Sequence, residues 1–242
     1  MSHPHITGPV PTVTAEQMAE VDRLATGPYG IDLLQMMELA GRALARTVQS
    51  MPAPRRITVA AGGGGNGGGA MVAARRLAGL GFDVEVVLDR GPGRLTGAAA
   101  HQAAALEAIG IRPTRELPAE VGDAIIDGLI GYGLTDAPTG RASELISWIQ
   151  AADVPVVSLD VPSGLDATTG DAWGAHVEAD VTLTLALPKS GLIENDAVGQ
   201  LLLADIAIPP VLWLSHFDID TGDLFSDADV VDLGAAQLVP PR

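Results

Sequence analysis

Residues 57–69 read Ile57-Thr58-Val59-Ala60-Ala61-Gly62-Gly63-Gly64-Gly65-Asn66-Gly67-Gly68-Gly69. The opening Ile-Thr-Val-Ala-Ala is a short apolar run bounded by turn residues, which reads as a buried strand. Residues 62–69 are nearly all glycine. After them Met71, Val72, Ala74 and Leu77 repeat at helical spacing, and the pattern stops at Gly81. Strand, glycine-rich connection and helix in this order begin a βαβ unit. The alternation continues downstream. Val84–Leu88 reads as a strand, Thr96–Ile109 as a helix, the stretch near Ile111 as extended, and Ala124-Ile125-Ile126 as a strand running into Asp127. Ala142–Ala152 reads as a helix, Val154–Leu159 as a strand ending at Asp160, and Val181–Leu187 and Leu201–Ile208 as two further strands. Buried strands alternating with helices imply a doubly wound α/β domain, its mostly parallel sheet covered on both faces.

Upstream of the sheet, two helices are expected. Thr14-Ala15-Glu16-Gln17 has the spacing of a capping box, and Met18, Val21, Leu24 and Ala25 fall on one helical face. After a break at Gly27, Pro28 and Gly30, Asp32 can cap a second helix carrying Leu33, Met36, Met37, Ala40, Leu44 and Val48. No repeat or long linker divides the chain before about Pro209. The expected organisation is therefore a disordered tail over 1–11, one domain over 12–210, and an acidic tail or linker over 211–242.

Composition narrows the function. The 242 residues carry 14 Lys+Arg against 30 Asp+Glu, a formal charge of −16. Such a surface repels phosphate backbones and anionic membranes at long range, which argues against nucleic-acid partners. There is no run of about 18 apolar residues to span a bilayer and no signal-peptide core near the N-terminus, so a cytoplasmic location is expected. Cysteine is absent, which removes disulfides, thiolate nucleophiles and zinc–sulfur sites together. A single lysine, Lys189, stands among thirteen arginines.

In open α/β sheets ligands bind beyond the carboxyl ends of the strands, and four candidate segments lie there. The glycine run can bring backbone N–H groups close to an anion at a helix N-terminus; it can equally be a flexible turn. It has neither the Gly-Lys-Ser/Thr of a Walker loop nor a GxGxxG fingerprint. Asp127, followed by Gly128-Leu129-Ile130-Gly131-Tyr132-Gly133-Leu134, is either a ligand-facing carboxylate or a turn cap. Asp160-Val161-Pro162-Ser163-Gly164 places a second strand-end carboxylate near a hydroxyl, oxygen donors that suit a hard cation. Lys189, in Leu187-Pro188-Lys189-Ser190-Gly191, can neutralise phosphate or stand as an ordinary surface residue. The five histidines show no ligand spacing, and no nucleophile elbow is present.

Taken in order, these segments resemble the NAD(P)HX epimerase family, also called the YjeF N-terminal domain family. The resemblance spans about Thr12 to Pro210. It is carried by Met37-Glu38-Leu39-Ala40-Gly41, the 62–69 loop, Val72-Ala73-Ala74-Arg75-Arg76-Leu77, Asp127 with Gly131–Gly133, Asp160-Val161-Pro162-Ser163-Gly164, and Pro188-Lys189. The resemblance implies a Rossmann-like three-layer α/β/α sandwich, a homodimer, and interconversion of the R and S epimers of hydrated NADH and NADPH. It implies Asp160 as the catalytic, substrate-contacting residue, and Asn66, Asp127 and Ser163 as potassium ligands. The dinucleotide would be held by Gly64, Gly65, Asn66, Gly67, Gly68, Gly69, Gly131, Tyr132, Gly133 and Leu134, with Arg90 and Lys189 beside it. Some fused members continue into a dehydratase domain after a tail similar to residues 227–242.

The pattern departs from the family at the loop Asn, here Gly65, at the loop Asp, here Gly69, at the helical Asn, here Leu39, and at a lysine that aligns with Arg90. Those changes leave two other readings in play: a diverged enzyme acting on another small molecule, and a non-catalytic dimeric scaffold.

Overall fold

The computed structural model describes residues 3–52 and 54–241. In chain order the elements are β1 (Pro9–Pro11), α1 (Ala15–Thr26), α2 (Leu33–Gln49), β2 (Arg56–Ala61), α3 (Gly65–Gly79), β3 (Asp83–Leu88), α4 (Gly97–Ala108), β4 (Ala124–Gly128), α5 (Gly140–Gln150), β5 (Val156–Leu159), β6 (Val181–Leu185), β7 (Gln200–Ala204), α6 (Pro210–Phe217), β8 (Val230–Asp232) and β9 (Gln237–Val239). Both expected caps form. The Thr14 hydroxyl accepts the Gln17 N–H while the Gln17 amide oxygen accepts the Thr14 N–H, and Asp32 with Gln35 repeats the reciprocal pair on α2.

The main sheet runs β3-β2-β4-β5-β6-β7-β8, and only the β7–β8 pair is antiparallel. Register follows the apolar pattern: Val59 lies opposite Val86 on one side and Ile126 on the other. Because successive strand side chains face opposite ways, these valines and isoleucines share one face. There they pack with α2, α3 and α4 through Leu44, Val48, Met71, Leu77 and Leu106. Ala60, Val87 and Ile125 face the other way, against Leu145, Ile146 and Ile149 of α5. The result is the expected α/β layering. A third cluster sets α1 and α6 together through Met18, Val21, Leu212 and Trp213.

Several expectations change. Part of the segment expected as a disordered tail is structured: β1 pairs in parallel with β9, and Val10 between its prolines is buried. Met1 and Ser2 lie outside the described residues. The C-terminal segment is not simply a tail, since α6 covers the core and β8 closes the sheet edge, with Val230 and Val231 buried on opposite faces. Three-residue strands are too short for periodicity to register, and each finds its partner far along the chain. The stretch near Ile111 forms no strand; Thr114 makes one isolated bridge to Val87. β6 ends at Leu185 because Ala186 turns the chain at φ 63°.

The largest change concerns the glycine run. α3 starts at Gly65, so residues 65–69 are helix and only 62–64 are connection. A Cβ at Gly67 would sit 1.8 Å from the Gly62 carbonyl oxygen, and one at Gly68 would sit 2.7 Å from Met37 Cε. These glycines therefore permit close packing rather than flexibility. Gly41 does the same one layer out, where a Cβ would meet Val72 Cβ at 2.4 Å. Nearby Glu38 pairs with Arg75 and, at 2.8 Å, with Arg76. The motif residues 38–41 and 72–76 thus serve largely as the α2–α3 seam. Gly41→Ala is expected to force the helices apart and cost about 1–3 kcal/mol, the range for overpacking, measurable as a lower urea midpoint at unchanged m.

Candidate active site

The strand order reverses at β2: its chain continues to β3 on one side, while β4 and β5 follow on the other. A crevice opens at the carboxyl ends of the strands at such a switch point. Here it is a cavity of about 840 Å³, floored by the strand ends and walled by α1, α2, the start of α3 and the 129–142 loop.

Of the candidate residues, Gly64, Gly65, Asn66, Gly69, Arg90, Gly131, Tyr132, Gly133, Leu134, Asp160 and Lys189 line this cavity. Gly67 and Gly68 do not. They are buried in α3 against the Gly62 backbone and Met37. Asp127 and Ser163 also lie outside the cavity wall, wholly buried beneath it. The two departures from the family loop differ in their surroundings. A side chain at Gly65 would meet open space, whereas one at Gly69 would press on Leu159 Cδ2 at 3.0 Å.

Asp160 is the residue directly after β5, and its φ of 70° is a left-handed conformation that non-glycine residues seldom adopt. Such strain persists where the surroundings fix it and gathers at functional sites. Its surroundings are specific. Lys189 Nζ binds Asp160 Oδ1 and also donates to the Leu185 carbonyl at 2.9 Å, while the Tyr132 N–H donates to Asp160 Oδ2 at 3.2 Å. Asp160 and Lys189 are 4% and 1% exposed, so the lone lysine is a buried partner of the carboxylate. It is delivered by the turn after β6 and held by backbone pairing with Val13. Gly131 lies beside this pair; a Cβ there would be 3.0 Å from Asp160 Oδ2 and 3.3 Å from Asn66 Oδ1.

Asp127 sits one layer below. Its Oδ1 accepts from Ser163 Oγ at 2.6 Å and from the Leu129 N–H at 3.2 Å. Its Oδ2 accepts from Ser158 Oγ and the Ser163 N–H, both at 2.9 Å. Burial pushes its pKa up, against the pull of these hydrogen bonds. Among the described residues it has no ion-pair partner. Asn66 Nδ2 is buried without a hydrogen-bond partner.

The cavity also holds residues that sequence reasoning missed. Asp22 of α1 accepts the Tyr132 hydroxyl at 2.6 Å. Reading α1 for its apolar stripe assigns such a polar position to solvent. Arg94 and Arg141 join Arg90 at the rim. Arg90 is committed to Asp89 by two contacts of 2.8 Å, and Arg141 to Glu144 and the Arg115 carbonyl. Arg94 is exposed and makes no ion pair among the described residues, which leaves it free to meet an anion. Its closeness to Arg90, four positions on, was the available signal.

A family model described as "YjeF-related protein N-terminus" matches residues 33–191. The chain is 42% identical over 209 residues to an "NAD(P)H-hydrate epimerase" of Dehalogenimonas lykanthroporepellens, covering 83% of this chain and 84% of that one. It is 33% identical to another protein so named from Weissella koreensis, covering 85% and 96%. A "Bifunctional NAD(P)H-hydrate repair enzyme Nnr" of Hyperthermus butylicus is 40% identical, but the match takes in only 38% of its length. Among solved structures, that of the yeast protein YNL200c superposes with a TM-score of 0.79 at 23% identity, over 92% of this chain and 99% of that one, a likeness of fold. With this fold, this cavity and these relatives, the chain belongs to the family of YjeF-related N-terminal domains.

Proposed function

We propose that this protein interconverts the R and S epimers of hydrated NADH and NADPH. The observation that carries the proposal is the Asp160–Lys189 pair, buried and strained at the floor of a cavity large enough for a nucleotide. In the hydrated cofactor, the carbon beside the ring nitrogen bears a hydroxyl. Inversion requires that C–O bond to break and reform on the opposite face. The departing oxygen keeps the bonding electrons and takes a proton to leave as water, while the nitrogen lone pair fills the carbon. Water returns on the other face and surrenders a proton, so no net oxidation occurs. The buried pair can balance this proton: the Lys189 ammonium, through Asp160, would supply it to the departing oxygen, and the pair would take it back from the returning water, which is general acid–base work.

The dinucleotide phosphates would lie at the N-terminus of α3, where free backbone N–H groups and the helix dipole favour anions, with Arg94 at the rim. This short-range arrangement is compatible with a chain of charge −16.

Potassium belongs to the same proposal, held by Asn66, Asp127 and Ser163. The set fits in two respects. Among the described residues, Asp127 is a wholly buried carboxyl group without an ion-pair partner, and the Asn66 amide leaves a buried polar atom unpartnered; turned over, that amide would offer its oxygen. Both Asp127 oxygens already accept two hydrogen bonds, so its contribution would be charge. A bound potassium ion would supply positive charge beside the phosphates.

The test is to supply a single epimer of hydrated NADH and follow loss of stereochemical excess, in potassium chloride and in tetramethylammonium chloride at equal ionic strength. Rapid loss is expected, with a higher KM in the second salt. Retained excess in both would remove the epimerase reading. Equal KM in both would remove the potassium site alone.

A further inference from the structure

The geometry points to Asp22 as a positioning residue for the reaction: through the Tyr132 hydroxyl it fixes the loop whose backbone N–H holds Asp160. This rests on the reading of Asp160 as the reacting carboxylate.

Residues 131–134 read Gly-Tyr-Gly-Leu, and an isolated loop of that composition has little to hold its shape. Yet the Tyr132 N–H is one of the two donors on the Asp160 carboxylate. What holds Tyr132 comes from the first helix, 110 residues away in sequence. The Tyr132 hydroxyl donates to Asp22 Oδ2 at 2.6 Å, a short charge-assisted bond of the stronger kind. The tyrosine ring packs against the buried clusters of both α1 and the 161–167 segment, and its centroid is 6.0 Å from Lys189 Nζ. One residue therefore touches α1 and backs the lysine with its side chain, and donates its backbone N–H to Asp160. Burial raises the Asp22 pKa, and burial together with Asp22 raises that of the Tyr132 phenol. The phenol thus stays protonated and remains the donor.

The alternative is that Asp22 only ties α1 to the domain. That role would lower stability without a selective effect on turnover. Positioning instead acts on the transition state more than on substrate binding, because small misplacements of a reacting group cost rate.

The experiment compares Asp22→Ala, Asp22→Asn, Tyr132→Phe and the double variant Asp22→Ala/Tyr132→Phe. Each is assayed for kcat and KM of epimerisation, with the Tyr132 amide proton resonance followed by NMR. Asp22→Ala is expected to lower kcat by roughly ten- to a hundredfold with KM nearly unchanged, and to move the Tyr132 amide resonance. Asp22→Asn keeps an acceptor for the hydroxyl and is expected to restore most of kcat and the resonance. The double variant is expected to fall no further than Asp22→Ala, since both changes cut the same link. Unchanged kcat in Asp22→Ala, a loss confined to KM, or a double variant equal to the product of the singles would each overturn the assignment. Should the wild-type protein not epimerise, the epimerase reading fails. The amide resonance then decides alone: unmoved in Asp22→Ala it overturns the link, moved it supports it.

Discussion

Asp160→Asn is expected to lower the epimerisation rate by about 10²–10⁴-fold, the usual contribution of a positioned acid–base group. Asparagine keeps the shape and can still accept from the Tyr132 N–H, so substrate binding should change little. The substitution has a second consequence. Lys189 is 1% exposed and pairs with this carboxylate. Removing one member of a buried pair leaves the other charge uncompensated, a loss of about 3–5 kcal/mol in measured cases. With the asparagine oxygen on the Tyr132 N–H, its NH₂ faces the ammonium, whose remaining acceptor is the Leu185 carbonyl. Activity and stability are separable with Asp160→Asn/Lys189→Met, which removes both charges. Its urea midpoint is expected to recover most of the loss, while its rate stays low. A rate within threefold of wild type in Asp160→Asn, where at least about 10²-fold loss is expected, would take Asp160 out of the proton transfer.

The sequence made the sheet legible because its signal is local. Ile57–Ala61, Ala124–Ile126 and the strand before Asp160 are near-continuous apolar runs, interrupted by Thr58 and Ser158, as strands covered on both faces tend to be. Both helix caps were legible for the same reason, since the partners lie three residues apart. What depended on distant partners was not. Strands β1, β8 and β9 are three residues each and owe their existence to non-local pairing: β1 with β9 across the length of the chain, and β8 with β7. The meaning of the glycines was also hidden. Composition alone cannot distinguish a glycine that turns from one that admits a neighbour, and Gly67 and Gly68 are of the second kind.

The site divides along the same line. Asp160 and Asp127 were visible as strand-end carboxylates and Lys189 as the lone lysine beyond a strand, and Asn66 by resemblance to a family pattern. The partners that define their chemistry came from elsewhere in the chain. The backbone N–H on Asp160 belongs to Tyr132, and Ser158, which supports Asp127, sits inside a strand where its hydroxyl gave no sequence signal. Asp22 lay on a helix whose apolar stripe drew all the attention. Global charge misled in one respect only: the cavity itself carries four acidic residues, Asp22, Asp89, Asp136 and Asp160, against four basic ones, Arg90, Arg94, Arg141 and Lys189.

Asp127→Ala is expected to produce a large loss of stability. Four donors converge on this carboxylate. The hydroxyls of Ser158 and Ser163 can turn, and Ser163 already has the Ile130 carbonyl within 3.2 Å. The N–H groups of Leu129 and Ser163 are fixed by the backbone and would be buried without an acceptor, at about 1–3 kcal/mol each. Against this stands a gain, because a charge is no longer desolvated. Burial raises the Asp127 pKa above its ordinary value of 3.8, so the folded state holds the proton more tightly than the unfolded chain. By linkage, wild-type stability contains a penalty that is complete above the folded pKa and is relieved as pH falls through it towards 3.8. The variant lacks this slope. At neutral pH the two orphaned N–H groups outweigh the relief, for a net loss of about 2–5 kcal/mol, a large part of the 5–15 kcal/mol that holds a typical domain together. Urea unfolding of both proteins across pH 4–8 measures it. The gap is expected to widen as pH falls through the raised folded pKa towards 3.8. A loss under about 1 kcal/mol at pH 7, below the cost of even one orphaned donor, would mean that Asp127 is kept for its charge and not for the bonds it accepts.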